Sequence, residues 1–515
     1  MKLALMSFTV LFVVLVSLIR FSSIEATVDE DGRTIRSYSF LARPSSLPLR
    51  DQLIYTTTQL YDEWPKRLNR LPRTINAAVA HSDNFNGTLM GQPIHCQVGD
   101  RLQINLTNDI SYSGLSLHMH GFGYGGEFFY DGSVGVSQCP LGDAKSQMYD
   151  LVVEEAPGTY WYHTQSGHLG VNAVDMIRGP LIVHPNGTFP RVELSPLSYD
   201  NERILFFQDG SLLSSEARYA RQIGNSNGPA VRNDEGFIVS SDPWDFGTCN
   251  GKLREVIHVK RNKKHKLRLI NGGTHHALRI AIDNFFMTVV AVDSEPIEPF
   301  KADEVVLHVG ERVDVIVDVY GDLFESETFW IRADSLGPSS RGFSNGIRAV
   351  LRISEEQGPV PNDKDIADPP QNIQTVRDEE KVIKTLNCHS QKYSECIPVT
   401  ALRPLNVSKA EESRLNSEIH YVDLHSKSAP QYSHFVRVDN GGNFTQNELP
   451  LVALASRNFD RLTDWHPNTV MLELSRTSPN IIVWRNTMLT DIPFNIHGQK
   501  GMSDWLATTT LCSDK

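Results

Sequence analysis

One β unit recurs three times along this 515-residue chain, and few folds accommodate it. Each copy is a strand ending in Asn, a turn, and a second strand. The first copy runs from Leu102 to Asn108 and reaches Leu117-His118-Met119-His120-Gly121. The second runs Leu267 to Asn271 and then Leu278 to Asp283. The third runs Ile481 to Asn486 and then Phe494-Asn495-Ile496-His497-Gly498. Three copies of one strand pair point to three tandem β domains. The strands alternate with period two: Leu102, Ile104 and Leu106 against Gln103, Asn105 and Thr107, and Val313, Val315, Val317 and Val319 with Asp314 and Asp318 between them. Val305–Val309, Gly310-Glu311 and Val313–Val319 read as two strands and a turn. Many short strands and few helical patterns predict all-β Greek-key sandwiches.

Composition narrows the function. The chain is 40% apolar and 21% charged, as globular proteins are. Its net charge of -12 argues against a nucleic-acid partner, because phosphate contacts need clustered Lys and Arg. The basic run Lys260 to Lys266 has two readings, a solvated turn before the Leu267 strand or a polyanion site. Residues 27–60 read as a mixed polar linker, and 356–375 as an extended acidic connector. Lys2, the apolar run Leu3 to Ile19, and the exit at Ser22-Ser23 read as a signal peptide over 1–26, with an uncleaved anchor as the alternative. No membrane contact is expected beyond that segment. The sequons at Asn86, Asn105, Asn186, Asn406 and Asn443 fit a secreted, extracellular glycoprotein. That compartment is oxidising, so Cys388 and Cys396 read either as a bridged pair or as two free thiols. The residues specify no oligomeric state.

His118 and His120 sit two apart on an expected strand, so both face one way. Their rise separation is about 6.6 Å, at roughly 3.3 Å per residue. Metal–imidazole bonds are only about 2.0 Å, so the pair suits two neighbouring metals better than one; a hydrogen-bonded structural pair is the other reading. His275-His276, on a strand, would face opposite ways. His184, His258 and His308 fit structural roles in or after apolar strands, and His168 fits a loop.

Downstream of the pair come Asp131-Gly132, Gln138-Cys139-Pro140-Leu141, Gly158-Thr159-Tyr160-Trp161-Tyr162-His163-Thr164-Gln165 and Gly179-Pro180-Leu181-Ile182-Val183. This ordered series resembles the first domain of multicopper oxidases, the laccase, ascorbate oxidase and ferroxidase family. Leu267 to Asn271, Met287-Thr288-Val289, Gly310-Glu311-Arg312-Val313-Asp314 and Trp330-Ile331-Arg332 are similar to the second domain. Asn387-Cys388 and Cys396-Ile397-Pro398-Val399 are similar to the start of the third domain in animal laccase-like members. The resemblance implies three tandem cupredoxin-like sandwiches at 60–195, 200–355 and 375–515. It implies copper as cofactor, and a small phenol or metal ion as the reductant for dioxygen.

The resemblance also exposes departures. His118 and His120 match one family motif, as a type 2 and a type 3 copper ligand. His163 matches a type 3 ligand, but Gln165 stands where a second His belongs, and an amide oxygen is a weak substitute for imidazole. In the motif His-Pro-x-His-x-His this chain reads Ile492-Pro493-Phe494-Asn495-Ile496-His497, so only His497 survives. The His-Cys-His motif that supplies the type 1 thiolate is not found; Cys512 lies between Leu511 and Ser513. The sequence given ends at Lys515, where the family's last strands would begin, so the third sandwich is expected to be incomplete. The expected metal residues are therefore His118, His120, His163 and His497. The expected function is a laccase-like protein with defective oxidase activity; the alternatives are a non-catalytic secreted glycoprotein and a residual copper binder on the same scaffold.

Overall fold

The computed structural model describes residues 27–48, 89–165, 177–186, 198–210, 246–336, 346–355, 383–387 and 394–405, with breaks at 111–113, 125–126, 135–136, 275 and 321–326. It also gives the strand backbone at 74–81, 231–232, 238–239, 418–425, 435–438 and 480–486. The expected signal segment, His168, Cys388, Ile492, Asn495, His497, Cys512, the sequons at Asn86, Asn406 and Asn443, and the 356–375 connector lie outside the described residues. Strands dominate, and no described helix is long and apolar enough to cross a membrane.

The first unit comprises β1 (Ile35–Pro48), β2 (Thr74–His81), β3 (Ile94–Gln97), β4 (Arg101–Asn108), β5 (His118–His120), β6 (Lys145–Val152), β7 (Gly158–His163) and β8 (Arg178–His184). They form two four-stranded sheets, ordered β2-β1-β4-β6 and β3-β8-β7-β5. Leu102, Ile104 and Leu106 on β4 turn inward as their alternation predicts, and pack with Phe40, Tyr149, Met119, Tyr162 and Val183 in one core. Asn105 stays on the opposite face of β4.

The second unit comprises β9 (Asn201–Gly210), a hairpin of β10 (Val231–Arg232) and β11 (Ile238–Val239), β12 (Phe246–Cys249), β13 (Val256–Lys260), β14 (Lys264–Asn271), β15 (Leu278–Ile282), β16 (Met287–Val292), β17 (Glu295–Ala302), β18 (Glu304–Leu307), β19 (Arg312–Asp318), β20 (Thr328–Ser335) and β21 (Ile347–Ser354). Then come β22 (Ile383–Leu386) and β23 (Ser394–Ile397). The sheets run β12-β9-β14-β19-β16-β17 and β13-β21-β20-β15-β18-β22-β23. A last, three-stranded sheet holds β24 (Glu418–His425), β25 (Phe435–Val438) and β26 (Asn480–Asn486).

The internal repeat is architectural. β1 runs parallel to β4, β9 to β14, and β24 to β26. The order β3-β8-β7-β5 reappears as β13-β21-β20-β15. The repeat Asn explains the sheet switch that follows it. The Asn108 side-chain oxygen accepts the Ile110 amide at 3.0 Å, and its amide donates to the Leu141 carbonyl at 2.9 Å. Asn271 accepts the Gly273 amide at 3.0 Å and donates to the Leu307 and His276 carbonyls, both at 2.9 Å. Each Asn thus closes a side-chain turn and ties the strand end to a neighbouring segment.

Four expectations change. Residues 27–60 were expected to be a linker, but β1 pairs with both β2 and β4, because Phe40 and Ala42 have apolar places in the core. The strands flanking Gly310 do form, yet β18 and β19 lie in different sheets, so the turn crosses between them. Lys266 is buried rather than solvated, with its ammonium 3.1 Å from Asp314. Residues 383–405 were assigned to the third sandwich. Instead β22 runs parallel to β18, and Leu386, Val399 and Leu402 join the second unit's core. Cys396 is disulfide-bonded, while Cys96, Cys139 and Cys249 are free.

Candidate metal centre

β5 is a three-residue edge strand paired antiparallel with β7. That register sets His118 opposite His163 and His120 opposite Trp161. Because strand faces alternate, all four rings share one face. The centroids of His118 and His120 are 5.7 Å apart, those of His118 and His163 5.2 Å, and those of His120 and His163 5.8 Å. One ligand atom from each ring lies within 4.8 Å of the other two. This is the one cluster among the described residues that can hold a metal ion. It joins three of the four histidines singled out in the sequence.

Hydrogen bonds set the tautomers. His118 is buried, and its Nδ1 is 2.7 Å from the Asp131 carbonyl oxygen and 3.3 Å from the Asp131 carboxylate. A carbonyl only accepts, so Nδ1 carries a proton and Nε2 is the atom left for a metal. Tyr124 OH lies 3.3 Å from the same Nδ1. Burial, reinforced by the Asp131 charge, raises the Tyr124 pKa well above the usual tyrosine value, so the phenol stays protonated. His163 places Nδ1 2.9 Å from the Thr164 carbonyl, which again leaves Nε2 as the ligand atom. Trp161 stacks on His163 at 4.3 Å and on His120 at 5.1 Å. Imidazole suits copper and zinc, so this donor set fits a copper ion. Gln165 lies two residues past the end of β7, and its backbone carbonyl accepts the Ser116 hydroxyl at 2.5 Å.

The second unit closes one side of this site. The Thr159 hydroxyl, on β7, donates to Asp314 at 2.6 Å, and Arg268 lies 2.8 Å from the same hydroxyl. Ser294 and Arg312 both donate to the Thr159 carbonyl, at 2.7 and 3.0 Å. Burial opposes the Asp314 charge, but Lys266, Arg268 and Thr159 outweigh it and hold the carboxyl below its ordinary range. On the other flank Trp161 and Met90 pack with Phe206 and Ile270, and Arg178 donates to the Asp209 carbonyl at 2.6 Å.

Among the described residues, histidines outside this cluster have partners within the fold. His95 and His184 meet nitrogen to nitrogen at 3.1 Å, and burial lowers both pKa values, that of His184 to about 4. His276 precedes β15 in a loop, 2.6 Å from the Ser335 hydroxyl. The seam residues Arg268, Arg312 and Asp314 escaped sequence reasoning. Their one signal was charge alternating with apolar residues along β14 and β19.

The chain is similar to known proteins. Two models described as multicopper oxidase match residues 72–188 and 215–355, together half of the chain. Laccase-2 of Botryotinia fuckeliana is 31% identical over 256 residues, 48% of this chain and 41% of that one. Laccase-1 of Pleurotus ostreatus is 30% identical over 292 residues, 55% of this chain and 51% of that one. The matched stretch thus spans about half the length of these curated relatives. Among solved structures, Fet3p, a multicopper oxidase that functions in iron import, superposes with a TM-score of 0.64 at 17% identity, over 90% of this chain and 75% of that one. The laccase from Botrytis aclada gives 0.53 at 24% identity, over 79% and 65%. Both structures speak to the fold alone.

Proposed function

The chain belongs to the multicopper oxidase family, for which copper is the implied cofactor, and from that premise we propose a secreted laccase-like protein that holds copper but has lost four-electron oxidase activity. Its ancestral reductant would be a phenol or a metal ion. The observation that carries the reading is Gln165. It ends the motif of which His163 is the first ligand, and it offers an amide where an imidazole is needed. The same departure occurs at Ile492 and Asn495 in the sequence.

Copper bound here supplies one-electron redox chemistry. His118, His120 and His163 would hold it. Asp131 fixes the His118 tautomer and orientation, and Thr164 does the same for His163. Trp161 and the second unit shield one side from water. Within the motifs that the sequence contains, His497 would be a fourth imidazole, while Gln165, Ile492 and Asn495 stand where the family places further histidines. Support for secretion comes from the apolar N-terminal run and from the exposed sequon residue Asn186.

The test is copper loading of the full chain, followed by oximetry with a phenol and with Fe(II). We expect bound copper, no intense blue band, and no oxygen uptake above free copper. A blue protein that consumes oxygen with either reductant overturns the proposal. A folded protein that takes no copper points instead to a non-catalytic glycoprotein on the same scaffold.

A further inference from the structure

Two glycines face each other across the seam between the units. Gly121 directly follows His120, and Gly310 stands on the turn between β18 and β19. Both have left-handed backbones, at φ +91° and +88°. Each also admits a side chain from the other unit. A Cβ on Gly310 would lie 2.9 Å from His120 Cε1 and 3.1 Å from its Nε2. A Cβ on Gly121 would lie 2.7 Å from Arg312 Nη2 and 3.0 Å from Tyr160 Cδ1. So the second unit's backbone meets one edge of the His120 ring, while the second unit's arginine fills the space beside the next residue.

Arg312 is itself held firmly. Its Nε donates to the Thr159 carbonyl at 3.0 Å, and its Nη1 reaches the Gly310 carbonyl at 3.2 Å and Asp293 at 3.0 Å. The guanidinium lies 5.9 Å from the Tyr160 ring centre. Arg312 therefore ties the Gly310 turn to β7, the strand that pairs with β5. Imidazole turns freely about its last torsion unless packing stops it. Here Trp161 stacks on the ring plane at 5.1 Å and Gly310 meets the Cε1–Nε2 edge.

We infer that Gly310 and Arg312, both in the second unit, are positioning residues that fix the orientation of the His120 ring. The metal-binding competence of the first unit then depends on the docking of the second. Ligand sites lose affinity when the shell supporting them loosens. The copper part of this inference rests on the proposed metal-binding reading; the orientation of the ring does not.

The experiment uses the full chain with G310A and R312K. The control is G99A, because Gly99 has the same backbone strain, φ +87°, with only the Asn186 amide near its missing Cβ, at 3.9 Å. Cu(II) affinity is measured against a competing chelator. The labelling rate of each histidine by diethyl pyrocarbonate is measured in metal-free protein by peptide mass spectrometry. We expect G310A to weaken Cu(II) binding at least tenfold and to change His120 labelling several-fold, with R312K intermediate. G99A should lose comparable stability and change neither readout. His120 labelling and Cu(II) affinity that stay at wild-type values in G310A and R312K overturn the inference. Parallel changes in G99A also overturn it, since strain alone would then explain them. Wild-type protein that binds no Cu(II), with His120 labelling still altered only in G310A and R312K, rejects the metal reading and leaves the positioning role standing.

Discussion

The β5–β7 ladder of the first unit and the β15–β20 ladder of the second occupy the same place in the same strand order, and they differ on the face turned away from the core. In the second unit Leu278, Ile280 and Ile282 are buried, and Ile280 pairs with Ala333. In the first unit the same inward face pairs Met119 with Tyr162; His118, His120 and His163 stand on the other face, where the second unit pairs Arg279 with Asp334. The difference follows from the edge. β15 is covered by β18, which extends its sheet, and Arg279 on the outer face reaches Glu304 of β18 at 3.8 Å and Asp334 of β20 at 3.7 Å. β5 ends its sheet among the described residues, and His120 and His163 remain partly exposed. The inward face of this ladder thus builds core in both units, while its outer face carries ion pairs where the sheet continues past it and a histidine cluster where the sheet stops.

The largest expected effect is on stability, and it belongs to the inward face of the ladder. Ile280→Ala deletes a fully buried side chain from the second unit's core and should cost about 2–5 kcal/mol in urea unfolding. His120→Ala, in metal-free protein, removes a partly exposed ring and should cost about 0.5 kcal/mol. Similar losses from the two would break the contrast between core and site.

The metal should reverse that ranking. Copper that binds the native state alone, at one hundred times its dissociation constant, adds about 2.7 kcal/mol of stability. His163→Ala should abolish this gain while barely changing the metal-free melting temperature. Calorimetry with and without Cu(II) reads both quantities. A variant that keeps the full copper-induced shift would show that the ion sits elsewhere.

How much of this was legible in the sequence depends on what each residue's outer face meets. The alternation of Leu102, Ile104 and Leu106 foretold an inward face, and the inward face is there. The spacing of His118 and His120 foretold rings on one side, and His163 joined them through the family motif. Arg268 and Asp314 were hidden. Each alternates with apolar neighbours as a solvent-facing residue would, yet both are buried, because the outer face of that sheet is covered by the first unit. Period-two patterning reports that a face is polar and does not report whether water or another polar surface covers it. β1 was missed for a related reason. Its alternation is broken by Ser, Arg and Pro on a strand that bends from one partner to the other.

The smallest effect tests how the Gly310 turn is held. Glu311 accepts the His308 amide at 2.7 Å and the Asn387 side-chain amide at 3.0 Å. Burial, helped by the Asp293 charge, pushes its pKa up to about 8. The folded protein therefore binds a proton at Glu311 that the unfolded chain releases above pH 4.5. The stability tied to that proton is present at low pH and is lost as pH rises from 4.5 through about 8. Glu311→Gln keeps an acceptor for His308 and carries no charge to desolvate. Its stability should stay level between pH 6.5 and 8, where the wild type declines. His184, lowered from 6.5 to about 4, adds the same pH dependence to both proteins and cancels from the comparison. Parallel pH profiles for the two proteins would mean that Glu311 is already ionised in its pocket, and that the turn against His120 is held by a charge rather than by a neutral acid.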